Sequence, residues 1–512
     1  MKRKLVSLLL AALLLCSLLP QISLPARARD AYSGSCGDGL KWRFEAGSGT
    51  LTITGNGSMQ DYWEPRFAPW YSFRSKITRI SLPSGLTGIG TRAFYQCSAL
   101  KSVTLPTRLF KIGWYAFYGC SGLTDISFPD SVTYIWDYAF ANCTGLSQIT
   151  LPVRLADIGA YAFANCTGLR EVTIPAGCTK PINNNTYDGC SALLAFRVAS
   201  NNGWYSSDEN GVLFNKRKTQ LVRYPLGKKG SYTVPSSVSE ISRWAFCGCE
   251  GLTELILPAE LSAIGDHALC GCTGLGRIGI PKTVTKIDRY AIGYSLNPEG
   301  KEIKSVPGIA VYGYAGTVAE SYSKENGVSF VPLDSKSGFG DVKSGSFYYD
   351  AMLWALEQGI TNGTSRYEFS PGDRCTRGQA VTFLWRAMDK PQPRNTANPF
   401  VDTISNSYYY DAMRWAVEKT ITNGTDATHF SPNESCTRAQ IVTFLWRSVG
   451  APEPSNQNNS FVDIQEGSSY YKAVLWAVEQ AITNGTDATH FSPGESCTRA
   501  QIVTFLCRML RK

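Results

Sequence analysis

Histidine is scarce in this 512-residue chain, and the three present are His267, His429 and His490, the last two in matching Thr-His-Phe-Ser-Pro loops. None stands as a solitary catalytic base, and no nucleophile elbow, metal-ligand His-Glu pattern or phosphate loop takes its place. Blocks of like charge are missing as well. Fifty basic against 41 acidic residues leave +9 spread thinly, which suits an anionic surface but not a nucleic acid, since no aromatic-plus-basic motif accompanies it. After the N-terminus, no stretch approaches the roughly 18 apolar residues that a membrane span requires. What is plentiful is apolar and aromatic material, 43% and 12% of residues, enough for folded domains over most of the chain.

Residues 1–28 read as a secretory address: Lys2, Arg3 and Lys4, the apolar run Leu5 to Leu19, then the small-residue site Ala26-Arg27-Ala28. Cleavage after Ala28 is the expectation, with a secreted mature chain and no membrane span. Cys16 follows Leu13-Leu14-Leu15 and lacks the small residues of a lipoprotein signal. The last residues, Arg508-Met509-Leu510-Arg511-Lys512, carry neither a sortase-type signal nor a lipid anchor.

Sixteen cysteines would suggest disulfides in an exported protein, yet most fall on fixed periods. Cys97, Cys120, Cys143 and Cys166 lie 23 residues apart, Cys190, Cys249 and Cys272 continue the series, and Ser295 takes the next place. Cys375, Cys436 and Cys497 step by 61. Periodic cysteines are most simply the small buried residue of a repeat. Bridges between stacked turns about 4.8 Å apart stay open by distance. Cys247-Gly248-Cys249 and Cys270-Gly271-Cys272 show one register twice, without zinc-site spacing. No metal or cofactor is expected.

One unit of the shorter repeat, Leu100 to Leu123, reads LKSVTLPTRLFKIGWYAFYGCSGL. Val103-Thr104-Leu105 alternates as a strand that Pro106 ends, and Ile112, Ala116, Phe117 and Cys120 return the chain as a turn or short helix. Such a unit cannot bury its own apolar side, whereas a stack of them can. The pattern resembles the BspA-like leucine-rich repeats, with their Leu-Pro strand end and Ile-Gly-x-x-Ala-Phe-x-x-Cys return. That resemblance covers residues 77–333, with an inserted hairpin near 195–234 around the polar turn Asn215-Lys216-Arg217-Lys218. Residues 29–76 form a β cap, and Tyr312 through Pro332 resembles the family's closing segment. Tyr115, Tyr138, Tyr161, Trp244, His267 and Tyr290 share one register. They are either a ligand ladder or rings that stack on themselves, which needs only the repeat. The resemblance implies adhesion to an unknown protein or glycan.

After the polar joint 334–338 a second period begins. Phe339, Phe400 and Phe461 each precede a Trp by 15 residues, at Trp354, Trp415 and Trp476. Each unit then carries Ile-Thr-Asn-Gly-Thr, Phe-Ser-Pro and Cys-Thr-Arg-x-Gln. The apolar spacing predicts two short helices per unit. Thr376, Thr437 and Thr498 with Gln379, Gln440 and Gln501 make capping boxes for the second helix. Arg377, Arg438 and Arg499 are not needed for capping, and a cation there opposes the helix dipole. Beside free helix N–H groups they would cradle a carboxylate or phosphate; the alternative is exposed arginines paired with a nearby acid.

These units resemble the S-layer-homology family, placed here at 339–390, 400–451 and 461–512. The resemblance implies a leucine-rich-repeat β-solenoid followed by an all-α domain of three repeats about a pseudo-threefold axis. It further implies non-covalent attachment to an anionic, often pyruvylated, secondary cell-wall polysaccharide, and location at the cell wall and surface. By resemblance the three arginines contact the pyruvate. Trp354, Trp415 and Trp476, with Gly363-Thr364, Gly424-Thr425 and Gly485-Thr486, are further candidates for the groove wall, the Trp residues serving equally as core. The family's Thr-Arg-Ala-Glu reads Thr-Arg-Ala-Gln in the second and third repeats, and Gly378 replaces Ala in the first. Cys507 stands where Trp385 and Trp446 stand, which puts the third groove in question. Three linked weak sites would hold a protein without a covalent bond, avidity adding about 10²- to 10⁴-fold. The expectation is a display or adhesion protein and no enzyme, the alternatives being a wall-associated enzyme or a structural surface-layer subunit.

Overall fold

The computed structural model describes residues 31–178, 183, 185–296, 303–306, 308–394, 398–456 and 458–511. The expected secretory segment and Cys16 lie outside them. Two compact units result: one runs to Gly276 and includes Lys286 to Val306, and the other holds Arg277–Thr285 and the chain from Gly308 on.

In the first unit, strands Ala31–Gly37, Leu40–Glu45 and Thr50–Ser58 form an antiparallel cap. The third of these is long enough to feed two sheets. Its start pairs parallel with Arg79–Ser81 and its end with Gly85–Ile89, so one strand protects the open edge of both. From there each turn contributes a strand to each sheet, such as Ser102–Thr104 and then Lys111–Ile112, paired in parallel with Asp125–Ser127 and Tyr134–Ile135 in the next turn. The return segment is therefore a two-residue strand followed by tight turns, and no helix. Tyr115, Tyr138 and Tyr161 sit there at φ +56, a conformation that a helix would not admit.

The core repeats with the sequence. Val103, Leu105, Leu109, Ile112, Ala116, Phe117, Cys120 and Leu123 of one turn are all buried. Phe117, Phe140 and Phe163 stack at 5.1 and 5.2 Å between ring centroids, and Phe94 meets Phe117 at 5.1 Å with its ring tilted. The thiols of Cys120, Cys143, Cys166, Cys190 and Cys272 each donate to a phenylalanine carbonyl of the preceding turn at 3.2 Å, as Cys120 does to Phe94 and Cys143 to Phe117. All described cysteines are free thiols, and all but Cys507 are buried. Burial pushes Cys97 and Cys249 up to about 12, which leaves both as unreactive thiols.

The insertion is larger than a hairpin. Tyr205–Ser207, Leu213–Asn215 and Gln220–Arg223 form a three-stranded antiparallel meander, whose last strand rejoins the stack parallel to Glu240–Ile241. A second turn causes the difference: the Asp208 carboxylate accepts the Val212 N–H at 2.8 Å and reverses the chain before the polar turn at Asn215.

In the second unit, strands Arg277–Gly279, Ala310–Gly313 and Ser329–Pro332 run parallel, with helix Val318–Asn326 crossing between the last two. The repeat pattern places Arg277–Gly279 with the solenoid, but its pairing partners and its contacts lie in the second unit. Arg277 pairs with Glu368 at 3.1 Å, and Gly279 lies so close to the Tyr367 ring that a side chain there would have to displace it. The polar joint is an ordered turn, in which Asp334 accepts from Ser337 N–H at 2.7 Å and from the Tyr349 hydroxyl at 2.8 Å.

The three 61-residue repeats each supply two helices: Tyr349–Glu357 and Arg377–Ala387, Tyr410–Glu418 and Arg438–Ser448, Tyr471–Glu479 and Arg499–Leu510. Each second helix packs on the first helix of the next repeat, and the third closes on the first. At the axis Cys375 N–H donates to Cys497 O, Cys436 N–H to Cys375 O and Cys497 N–H to Cys436 O, at 2.8 to 2.9 Å. A larger side chain at any of these wholly buried positions would push the backbone ring apart.

Candidate functional site

The capping boxes form as their spacing predicts. Thr376, Thr437 and Thr498 each accept the N–H of Gln379, Gln440 or Gln501, whose side chain returns to the cap N–H. The N–H groups of the two residues between are not free. Arg377 N–H donates to Glu434 O and Gly378 N–H to Pro432 O, both in the next repeat, and the other two helices repeat the arrangement. The expected cradle of open helix donors is therefore absent, because closure of the threefold brings a neighbouring loop onto each helix start.

The guanidinium groups behave differently from both expectations. Arg377, Arg438 and Arg499 are only 3%, 2% and 2% exposed, so they are not surface arginines. Their Nε atoms donate to the carbonyls of Phe430, Phe491 and Phe369 in the following repeat, at 2.8, 2.9 and 2.9 Å. Arg377 Nη2 reaches Thr422 at 3.2 Å and Arg499 Nη2 reaches Thr361 at 3.4 Å. Arg438 Nη2 is buried with no hydrogen-bond partner. Each group also lies over two phenylalanine rings, Arg438 at 4.9 Å from Phe491 and 5.7 Å from Phe505. Among the described residues none of the three forms an ion pair. Desolvation lowers all three below the ordinary arginine value, and distant acids such as Glu434 and Asp402 near Arg377 only partly oppose it.

Beside Arg377 lies a cavity of about 430 Å³ built from three repeats. Arg377 comes from the first, Asn423-Gly424, Gln440 and Arg447 from the second, and Tyr470 and Pro493 from the third. Its two charged groups, Arg377 and Arg447, are both cations. In the loop that walls it, Gly363, Gly424 and Gly485 hold φ of +87 to +88 and a Cβ would strike the carbonyls of Glu368, His429 or His490. Thr364, Thr425 and Thr486 face into their own loops, bonded to Ser370, Ser431 and Ser492 at 2.6, 2.7 and 2.8 Å. The tryptophans stand outside that cavity. Trp415 and Trp476 are buried core residues, Trp354 packs against that core, and none lines the Arg377 cavity.

Sequence reasoning missed Asp341, Asp402 and Asp463. Their carboxylates accept two N–H groups each, from Phe369 and Ser370, Phe430 and Ser431, and Phe491 and Ser492, at 2.6 to 2.9 Å. They thereby fix the carbonyls that receive the arginines. The 61-residue spacing was the available signal. Trp385 and Trp446 have a structural duty also missed: each indole N–H donates to the proline that opens the next joint, Pro391 at 2.9 Å and Pro452 at 2.8 Å. Cys507 holds the matching place in the third repeat, beside Arg511.

In the solenoid, Tyr115, Tyr138 and Tyr161 stack face to face at 4.8 and 5.0 Å, and Trp244 stacks on His267 at 4.3 Å. Their faces cover one another, as the repeat alone would have them do. A second row, Trp63, Trp114 and Trp136, runs with centroids 5.8 and 4.9 Å apart.

Comparison with known proteins bears on both units. Residues 70–194 and 228–305 match the BspA type Leucine rich repeat region in six copies, and residues 338–381, 399–442 and 460–503 match the S-layer homology domain. A surface-layer 125 kDa protein of Lysinibacillus sphaericus is 26% identical over 189 residues, 36% of this chain and 16% of that protein. An endoglucanase of Bacillus sp. (strain KSM-635) is 32% identical over 117 residues, 23% of this chain and 12% of the enzyme. The chain thus spans only a small part of the curated relatives it matches. Among solved structures, a leucine-rich repeat protein from Eubacterium ventriosum is 28% identical with a TM-score of 0.48, covering 56% of this chain and 73% of its own.

Proposed function

The chain carries BspA-type leucine-rich repeats and three S-layer homology domains, and on that premise we propose that it is a cell-surface protein held non-covalently on an anionic secondary cell-wall polysaccharide. The solenoid is the displayed part, with a protein or glycan as its partner. One observation carries the anchoring role: three buried guanidinium groups without a counter-ion among the described residues, one of them with an unbonded Nη2. A buried cation without an anion is unfavourable in the free protein. An acidic sugar substituent entering from the groove supplies the missing charge, and the fork geometry suits a carboxylate such as that of a pyruvate ketal. The aspartate-fixed loops hold the receiving groups rigid, so binding orders little further chain.

Catalysis is not part of this reading. The match to an endoglucanase covers 12% of that enzyme.

Cosedimentation with purified sacculi tests the proposal. The full chain is expected to pellet with sacculi that retain the polymer and to stay in solution once the polymer is extracted. Exchange of Arg377, Arg438 and Arg499 together for Lys keeps the charge and removes the fork, and it should weaken binding by about tenfold or more. Equal pelleting with stripped sacculi would sink the anchoring role, and undiminished pelleting of the lysine variant would sink the part given to the arginines.

A further inference from the structure

The inserted meander does more than interrupt the stack. Strand alternation turns Leu221 and Ile241 inward and leaves Gln220, Val222, Glu240 and Ser242 on the outer side of the sheet. The meander continues that sheet, and its Trp204 end together with the following turns borders an open trough of about 630 Å³. This volume lies within the range of small-ligand sites and has room for a short oligosaccharide.

One rim of the trough is Trp204, which is 58% exposed. It does not hang on a loose loop. Asn202 beneath it is wholly buried, its carbonyl oxygen accepts the N–H groups of Trp204 and Tyr205 at 2.8 Å, and its amide donates to Pro175 O and Cys178 O. Lys216 N–H holds the Trp204 carbonyl at 2.7 Å. A rigidly presented indole is a ready platform for the C–H face of a sugar ring, and it needs little ordering on binding. The solenoid register does not require it, since it stands in the insertion.

The floor is lined with planar polar groups held in pairs. Gln220 Nε2 donates to Glu240 at 2.9 Å, and Arg243 pairs with Asp266 at 3.3 Å. Asp288, at the far end, pairs with Lys286 at 3.0 Å. A carboxylate has about four acceptor sites, so each acid is fixed in place yet keeps acceptors for a ligand. With Lys286 on Asp288 and Arg243 on Asp266, the three carboxylates exceed the cations beside them by one, which disfavours anionic sugars and favours amines. The sign is opposite to that of the Arg377 groove.

We propose that this trough binds short amino-sugar oligosaccharides with free amines, Trp204 stacking on a ring while Glu240, Asp266 and Asp288 accept from ammonium and hydroxyl groups. The proposal rests on reading the solenoid as the displayed recognition part. Calorimetric titration of the full chain with a glucosamine tetramer, its N-acetylated form and a galacturonic acid tetramer tests it. The glucosamine oligomer should bind, the N-acetylated one more weakly and the acidic one not at all. Trp204→Ala should weaken binding by about tenfold or more, and Asp266→Asn with Asp288→Asn should abolish the preference for free amines. Equal binding of the acidic tetramer, or unchanged binding by Trp204→Ala, overturns the proposal. So does silence from all three oligomers, which leaves the trough to a protein partner. Trp204→Ala is expected to pellet with sacculi like the parent, so a negative titration leaves the anchoring role intact.

Discussion

An arginine at a helix start is mildly unfavourable in isolation, and in this protein it is also buried, so two local rules are broken at Arg377, Arg438 and Arg499. The carbonyls of Phe430, Phe491 and Phe369 and the flanking rings offset part of that cost and make the arginines structural as well. Arg438→Ala should therefore lower stability by about 2 kcal/mol, the scale of a lost charge-assisted hydrogen bond, measurable as a shift of the urea midpoint. A binding assay on alanine variants alone would confuse unfolding with loss of contact, which is why lysine is the better probe. The loops of the second and third repeats invite a different measurement. Backbone N–H groups of Thr428 and Thr489, then the rings of His429 and His490, lower Asp426 and Asp487 to about 2. A depressed carboxylate contributes stability that is complete above its unfolded value near pH ~4. That contribution disappears as pH falls through about 2. Carboxyl resonances of these two residues should show midpoints near about 2, with the loop hydrogen bonds to Thr428 and Thr489 opening in the same interval.

At the level of elements, the solenoid is a sum of nearly identical layers, so damage to one layer should be local in origin and propagate through its interfaces. Phe140 stacks between Phe117 and Phe163 and has no exposed surface. Phe140→Ala should cost about 3 to 5 kcal/mol, and hydrogen exchange should rise first in the turns on either side of it. Protection confined to its old level in the adjoining turns would argue that the layers do not share stability in this way. The aromatic row of Tyr115, Tyr138 and Tyr161 is part of the same stacking: Tyr138 touches a ring on each side and the other two on one side, contact that helps offset the strain of positive φ without glycine.

For the whole molecule, the two compact units divide at Gly276 and Gly308 and not at the polar joint before Phe339. Calorimetry of the full chain should resolve more than one transition. A fragment beginning at Gly308 loses Arg277–Thr285 and with it the Arg277–Glu368 pair and the strand beside Ala310–Gly313. It should melt below the corresponding transition of the intact chain, and a fragment beginning at Phe339 lower still, because Asp334 no longer holds Tyr349. Identical melting of both fragments and the parent transition would show that the added strands contribute nothing.

Periodicity made most of the architecture legible. The 23-residue and 61-residue spacings, the proline strand ends and the Thr-x-x-Gln boxes each reflect local geometry, which depends on neighbours in sequence and so is written there. The buried periodic cysteines follow from the same logic. What the chain order could not convey is which surfaces meet. Arg499 finds the Phe369 carbonyl 130 residues earlier because three repeats close on one another, and that closure converts a supposed open helix start into a buried, unpaired cation. The trough at Trp204 likewise joins an insertion to turns that follow it, and the true seam between units depends on strand pairing across the chain. Local chemistry determined the elements, whereas long-range packing decided which of their polar groups were left facing a ligand.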